Sequence, residues 1–445
     1  MQRRHPAFKA FWYSRPWFPE SDGFVLAHQF TALRHKQFLK FWLGSFTSVG
    51  ATQLQIMGLG WLVYELSSSS LSLGYLGAAA GLPAIVTTLF GGALADQIDK
   101  RMLLIVTSVL IAVLLALLAY LDWAGIVQVW QVIAIAGAIS IITGFDWPAR
   151  QSIFPSLIER KDMMSAVALT TVIWQATRMV MPALGGLIIA ISDTWLLFAF
   201  CSTGFFLMFL ILLTLKVAPS AAATQQSTRS QIVEGIRFIM TNRNFLILIS
   251  LSYAVFFFAS SYMPLMPAFA DMLNVDEKGY GYLLSITGVG AVIGTVISGS
   301  LQKSPRLGFA MLLSALIFCV FVYLFALVCW LDISGAFYFA LGILFSASIF
   351  SSIFMVTTTT ILQLEVPEQL RGRVMGFHGI SYSLFPLGAL LVGTIANESN
   401  PSVGISISTT IFVAYLLWVL VTQPGTRKID GRALTEKAAQ ATPFS

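Results

Sequence analysis

The sequence predicts an all-α membrane protein with twelve transmembrane helices in two pseudo-symmetric six-helix halves. Three observations carry that expectation. Of 445 residues, 57% are hydrophobic and only 10% are charged, against roughly 25% charged in an average soluble domain. Apolar runs close to the roughly 20 residues that a hydrocarbon core demands recur along the whole chain. The lysines and arginines fall in alternate connections between those runs.

The first six runs are 41–64, 72–93, 103–121, 127–147, 165–191 and 195–215. A polar linker, 216–244, follows; it holds "APSAAATQQSTRSQ" and then an amphipathic piece, "IVEGIRFIMTNRN". The second six are 245–269, 279–301, 307–331, 333–356, 374–396 and 404–422. The chain thus divides into a tail (1–40), a first bundle (41–215), the linker (216–244), a second bundle (245–422) and a second tail (423–445). The opening "MQRRHPAFKAFWYSRPW" lacks the apolar core of a cleavable signal peptide and reads as a cytoplasmic tail. With that end in the cytoplasm, every Lys and Arg except Arg178 and Lys278 faces the cytoplasm. The outer connections carry Glu65, Asp122, Asp193, Asp332 and Glu398 instead. Losing one span from the count would destroy this bias, so it checks the whole topology. Both termini are expected in the cytoplasm, and the protein is expected to be a monomer in a bacterial inner membrane. The same distribution explains the net charge of +6 without a nucleic-acid partner.

Several chemistries are not expected. Cys201, Cys319 and Cys329 lie inside apolar runs without metal-ligand spacing, so they read as buried thiols. There is no G-x-x-x-x-G-K-[ST] loop, paired catalytic carboxylates or serine elbow. No enzyme, cofactor, metal or direct ATP drive is expected. The halves echo one another: "FGGALADQIDKR" ends span 2 and "ISGSLQKSPR" ends span 8, while "PALGG" in span 5 matches "PLGALLVG" in span 11. Internal repeats of this kind characterise secondary transporters.

"GALADQIDKR" closes span 2 with Gly92, Asp96, Lys100 and Arg101. Gly92 allows close helix approach. Asp96 can accept N–H bonds at a helix start, where the macrodipole favours an anion. Lys100 and Arg101 can hold the loop at anionic headgroups. The stretch closely resembles the signature loop of the major facilitator superfamily, with Asp99 standing where that pattern has a second Gly. The resemblance implies a latch between the halves at the cytoplasmic face, with Arg371 and Arg373 of "VPEQLRGRVMG" as candidate partners. Plain charge anchoring is the alternative for these bases. That segment, "DWPARQSIFPSL" and "WLVYEL" resemble the branch containing enterobactin exporters and macrolide-efflux-like proteins. "WQATRMVMPALGG" in span 5 resembles an export-associated motif: Pro182, Gly185 and Gly186 match, and Met181 replaces a Gly. Pro182 permits a bend, and the glycines permit tight packing.

Arg178 lies at mid-span, where insertion scales charge about 2.5–3.5 kcal/mol for arginine. It must face the interior, toward a counter-charge, helix carbonyls, a wet cavity or an anionic substrate. Gln53, Gln55, Gln131 and Tyr253 are further substrate-binding candidates. Spans 1, 4, 7 and 10 line the cavity in the superfamily, and Trp130 and Tyr338 lie on two of these. A proton is the coupling ion the resemblance implies, with Asp146, Glu65 and His378 as candidate carriers. The expected function is export of a medium-sized amphipathic molecule, such as a siderophore or drug, by rocking-type alternating access. A lipid or lysolipid flippase and a non-transporting receptor or assembly partner are the competing readings.

Overall fold

The computed structural model describes residues 31–95, 99–216, 228–331, 333–434 and 436. The first half contains α1 (Lys36–Ser67), α2 (Ser70–Ala95), α3 (Lys100–Trp123), α4 (Val129–Ile153), α5 (Met163–Ser192) and α6 (Thr194–Thr214). The linker helix is α7 (Thr228–Thr241). The second half contains α8 (Arg243–Ala254), a π-helical turn (Val255–Ala259), α9 (Met266–Met272), α10 (Glu277–Leu301), α11 (Leu307–Leu331), α12 (Ala336–Glu365), α13 (Glu368–Gly379), α14 (Ser381–Glu398) and α15 (Pro401–Thr422).

Among the described residues, ten helices are long and apolar enough to cross a membrane, counting α13 with α14 as one. A bent pair adds an eleventh: the chain turns by 106° at Asn242, which separates the amphipathic linker helix from α8. The expected span 7 is thus α8, the π turn, a break over 260–265 and α9. The remaining expected span is α1. Its 32 residues reach ~48 Å at about 1.5 Å each, but Gln53, Gln55 and several Gly, Ser and Thr dilute its apolarity. Expected span 11 runs as one span through α13 and α14, with only a local turn at Ile380, whose dihedrals stay helical.

The two ends of the bundle differ in charge. One carries Lys36, Lys100, Arg150, Arg243 and Arg371; the other carries Glu65, Asp122, Asp193, Asp271, Glu277 and Glu398. We term them the basic and acidic ends. All five described residues with left-handed φ (Ser68, Gly125, Asp193, Asn274 and Gly335) lie in acidic-end connections. Each lets the chain reverse tightly after a helix C-terminus. Asp193 does so as a single-residue link, accepting from the Thr194 N–H at 3.0 Å.

Within the first half, α6 packs on α1 and α3, α4 on α2, and α5 on α1. Within the second, α12 packs on α10 and α11, while α15 packs on α11 and α14. The halves meet along two seams, α2 with α14 and α5 with α10. These pairs exchange under a two-fold relation between the repeats.

Candidate functional site

The seams bring backbones together at the acidic half. A Cβ added to Gly186 would stand 2.3 Å from the Glu277 carbonyl oxygen, and one added to Gly77 would stand 2.0 Å from that of Pro386. Only glycine fits at such approaches. Hydrogen bonds between the halves lie beside them. The Ala183 N–H donates to Ser285 Oγ at 2.9 Å. The buried Tyr280 hydroxyl donates to the Met57 carbonyl at 3.3 Å, and its ring stacks on Trp61 at 5.3 Å. The Tyr64 hydroxyl donates to Asp271 at 2.8 Å. Tyr64, Tyr280, Ser285 and Asp271 went unread in the sequence; a polar aromatic near a span end is too common a feature to single them out.

Below that seal, Arg178 stands halfway along α5. Its guanidinium makes no hydrogen bond or ion pair to a described residue, and it is half-buried. Tyr262, from the break in span 7, and Tyr382, from α14, are close enough to interact with its charge. Tyr262 is buried, with its ring beside Phe318 and Phe325 of α11. Tyr382 is exposed at 57% and packs against Phe256 at 5.1 Å. One turn toward the basic end on the Arg178 face, Trp174 meets the exposed Trp147 of α4 edge-on at 5.2 Å. Pro182 has no N–H to offer the Arg178 carbonyl. A Cβ on Gly288 of α10 would lie 2.9 Å from that freed oxygen. Arg178 therefore belongs to the first half, faces aromatic residues of the second, and sits on the seam. Pro182 itself is buried within one continuous helix. Gly185 packs inside its own half, against Met57 and Leu54, and only Gly186 reaches across.

The other candidates separate. Seven and eleven residues along a helix return to within ~20° of the same face, so Gln53 shares a face with Gly60 and Tyr64. Those two meet Tyr280, Pro267 and Asp271 of the other half. Gln53 is half-buried and lies on the face of α1 that meets the second half at Gly60 and Tyr64. Gln55 is buried on the opposite face, in line with Ser48 and Leu62, inside the first half. Its expected place in the cavity is corrected: residues two apart on a helix cannot share a wall. Gln131 is also displaced, because it lies in the first turn of α4 and accepts from the Gln128 N–H at 2.8 Å. Tyr253 donates to the Phe377 carbonyl at 2.7 Å, joining α8 to α13, so its hydroxyl serves packing. Trp130 and Tyr338 are exposed at the acidic end.

Asp146 is buried and doubly held, by the Thr107 hydroxyl at 2.8 Å and by Arg150. Arg150 also donates to Ser48 Oγ at 3.0 Å, so the group ties α1, α3 and α4 together. His378 is buried; its Nε2 meets Thr359 Oγ1 at 3.2 Å while Nδ1 has no partner among the described residues. Glu65 lies at the acidic end near Asp193, Asp122 and Glu277.

At the basic end, Asp96 falls outside the described residues, and Gly92 lies in the last turn of α2. Asp99 caps α3 by accepting from the Met102 N–H at 2.8 Å. An N-cap there explains an acid at a position where the superfamily pattern has Gly. Arg101 donates to the carbonyls of Leu212 and Leu213 at 2.9 and 2.8 Å, binding the C-terminus of α6 in its own half. Arg373 pairs with Glu234 of the linker helix, and Arg371 is exposed.

A family model described as "Transmembrane secretion effector" matches residues 27–441. The chain is 25% identical over 397 residues to the "Enterobactin exporter EntS" of Shigella boydii serotype 18, covering 87% of this chain and 92% of that protein. It has the same identity and coverage with the EntS of Escherichia coli O81. Among solved structures, it resembles a point mutant of the nucleoside transporter NupG with a TM-score of 0.70 at 13% identity, covering 90% of this chain and 99% of that one. It also resembles a bacterial homologue of the lysosomal transporter Spinster, with a TM-score of 0.67 at 12% identity over 91% and 98% of the two chains. The fold is that of the major facilitator transporters.

Proposed function

The chain belongs to the transmembrane secretion effector family of major facilitator transporters, and on that premise we propose that it exports a medium-sized amphipathic organic molecule by rocking-type alternating access. The single observation that supports this most is the placement of Arg178. It stands at mid-depth between the halves, beneath a sealed acidic end. Among the described residues, the hydrogen bonds that join the halves all lie in the acidic half. The asymmetry of Lys and Arg supports a cytoplasmic basic end, with both termini on that side. The described state is then inward-facing, in a bacterial inner membrane. Export follows as the seams part at the acidic half and the basic end closes, with the loop around Asp96 as its latch. The cargo of the curated relatives, enterobactin, makes a siderophore the first substrate to try.

Protons supply the drive in this reading, with Asp146 as the carrier. Its carboxylate is buried in the first half and linked to three helices through Thr107, Arg150 and Ser48, so neutralising it loosens a shared joint. The test is flux into inverted vesicles carrying the purified chain. Enterobactin or erythromycin should accumulate when a proton gradient is imposed. A reductant-cleavable bismethanethiosulfonate cross-link between Tyr64→Cys and Asp271→Cys, whose native side chains meet, should stop it, and reductant should restore it. Asp146→Asn should abolish gradient-driven accumulation while retaining exchange of labelled for unlabelled cargo. Binding with no movement of any cargo would favour a receptor. Movement of lysophosphatidylcholine alone would favour a flippase.

A further inference from the structure

We propose that the mid-depth site selects an organic anion carrying a flat aromatic group, with Arg178 as its counter-ion. This rests on the transporter reading and narrows its cargo class.

Arg178 has no described protein counter-charge at its depth. Asp146 is engaged with Arg150 and Thr107. Glu65, Asp122, Asp193, Asp271 and Glu277 all lie at the acidic end. Tyr262 and Tyr382 lie near the guanidinium but supply no counter-charge at neutral pH. When a cargo displaces water from the half-buried Arg178, a guanidinium left without an anion is unfavourable, and a carboxylate or phenolate recovers that loss through charge-assisted, planar bonding. A cationic or neutral cargo would leave it unpaired.

The rings supply the second half of the specificity. Phe256–Tyr382 from the second half and Trp147–Trp174 from the first each place an edge or tilted aromatic pair near this level. Tyr382 and Trp147 both keep exposed surface. Flat apolar groups gain area and ring contacts on such surfaces. The Gln53 amide, without a described hydrogen-bond partner and on the α1 face that meets the second half, can bond a polar substituent. Because Arg178 comes from one half and Tyr262 and Tyr382 from the other, an anion between them would bridge the seam. Its binding would then report on the relative position of the halves.

The test uses the full purified chain in detergent, titrated with 1-naphthoate and with its neutral analogue 1-naphthamide. Wild type should bind naphthoate about tenfold or more tightly than the amide, a difference of about 1.4 kcal/mol. Arg178→Gln should reduce that ratio to about one by losing naphthoate affinity alone. Arg178→Lys should retain part of it, since the charge stays and the planar fork goes. Tyr382→Leu should weaken both probes and leave the ratio intact, which keeps the aromatic claim testable if Arg178→Gln does not fold. A wild-type ratio near one, or a preference that survives Arg178→Gln, overturns the anion site. Equal binding by Tyr382→Leu and wild type overturns the aromatic one. Flux separates this from the wider reading. Naphthoate preference without transport of any cargo refutes transport and keeps the site; enterobactin flux without naphthoate preference does the reverse.

Discussion

At the acidic end the two halves meet backbone to backbone, whereas at the basic end Arg101 turns back into its own half and Arg373 reaches the linker. Gly77 and Gly186 bring main chains together there, and Tyr280 and Tyr64 bond across the join. Arg101 spends its donors on α6, and Arg373 pairs with α7. The contrast is one of range. Close packing is lost within an ångström of separation, so a glycine seam is either shut or open. Exposed ion pairs are worth little and re-form with new partners at small cost. The acidic seams, shut or open, therefore weigh more in holding this state than the partly exposed Arg373–Glu234 pair does.

The strongest way to break that asymmetry is to fill a seam. Gly77→Val places atoms where the Pro386 carbonyl stands. Overpacking of this kind costs about 1–3 kcal/mol, which amounts to a shift of about tenfold or more against the sealed state. Spin labels at Ser68 and Ser399, on opposite sides of the α2–α14 seam, should move apart and transport should fall. An unchanged distance distribution would place the holding energy elsewhere. Tyr280→Phe is milder, because it removes one buried donor and leaves the ring stacked on Trp61. A net loss of about 1 kcal/mol is expected, seen as a several-fold rise in the separated population with little change in melting. Glu234→Gln should do less: the pair it breaks is partly exposed, and the effect should fade in high salt. An effect of Glu234→Gln as large as that of Gly77→Val would reverse the comparison.

What could be read from the sequence follows the same division. Span positions come from apolar length, and orientation comes from charge, both local properties of single runs. Gly186 and Pro182 stood out because their motif is local too. Arg178 announced itself by its cost in hydrocarbon. Its surroundings did not: Tyr262 and Tyr382 are far away in the chain, and aromatic residues are plentiful in every span. The face of a glutamine is legible only once a helix's neighbours are known, which is why Gln53 and Gln55 looked alike and separate in three dimensions. The break in span 7 was hidden for a related reason. Apolar composition persists through Ser260–Leu265 while the helical ladder does not.

The smallest expected effect concerns a joint of the basic end that lies wholly within the first half. His35 Nε2 meets Asp162 Oδ2 at 2.8 Å, just before α1 and just before α5. The His35 bond first, and Thr31 second, hold the Asp162 carboxyl below its usual range. A carboxylate with a depressed folded-state pKa stabilises the fold above its unfolded value near 3.9, and the gain is lost as pH falls through the lowered one. Asp162→Asn should therefore lower the melting temperature slightly at pH 7, about as much at pH 5, and not at all near pH 2–3. Flux measured at pH 7 should hardly change, since in the proposed rocking the pair joins helices of one half that stay together. A large flux defect in Asp162→Asn with normal melting would mean that α1 and α5 move against each other at the basic end. The rigid-half picture would then fail at the joint where the two helices start.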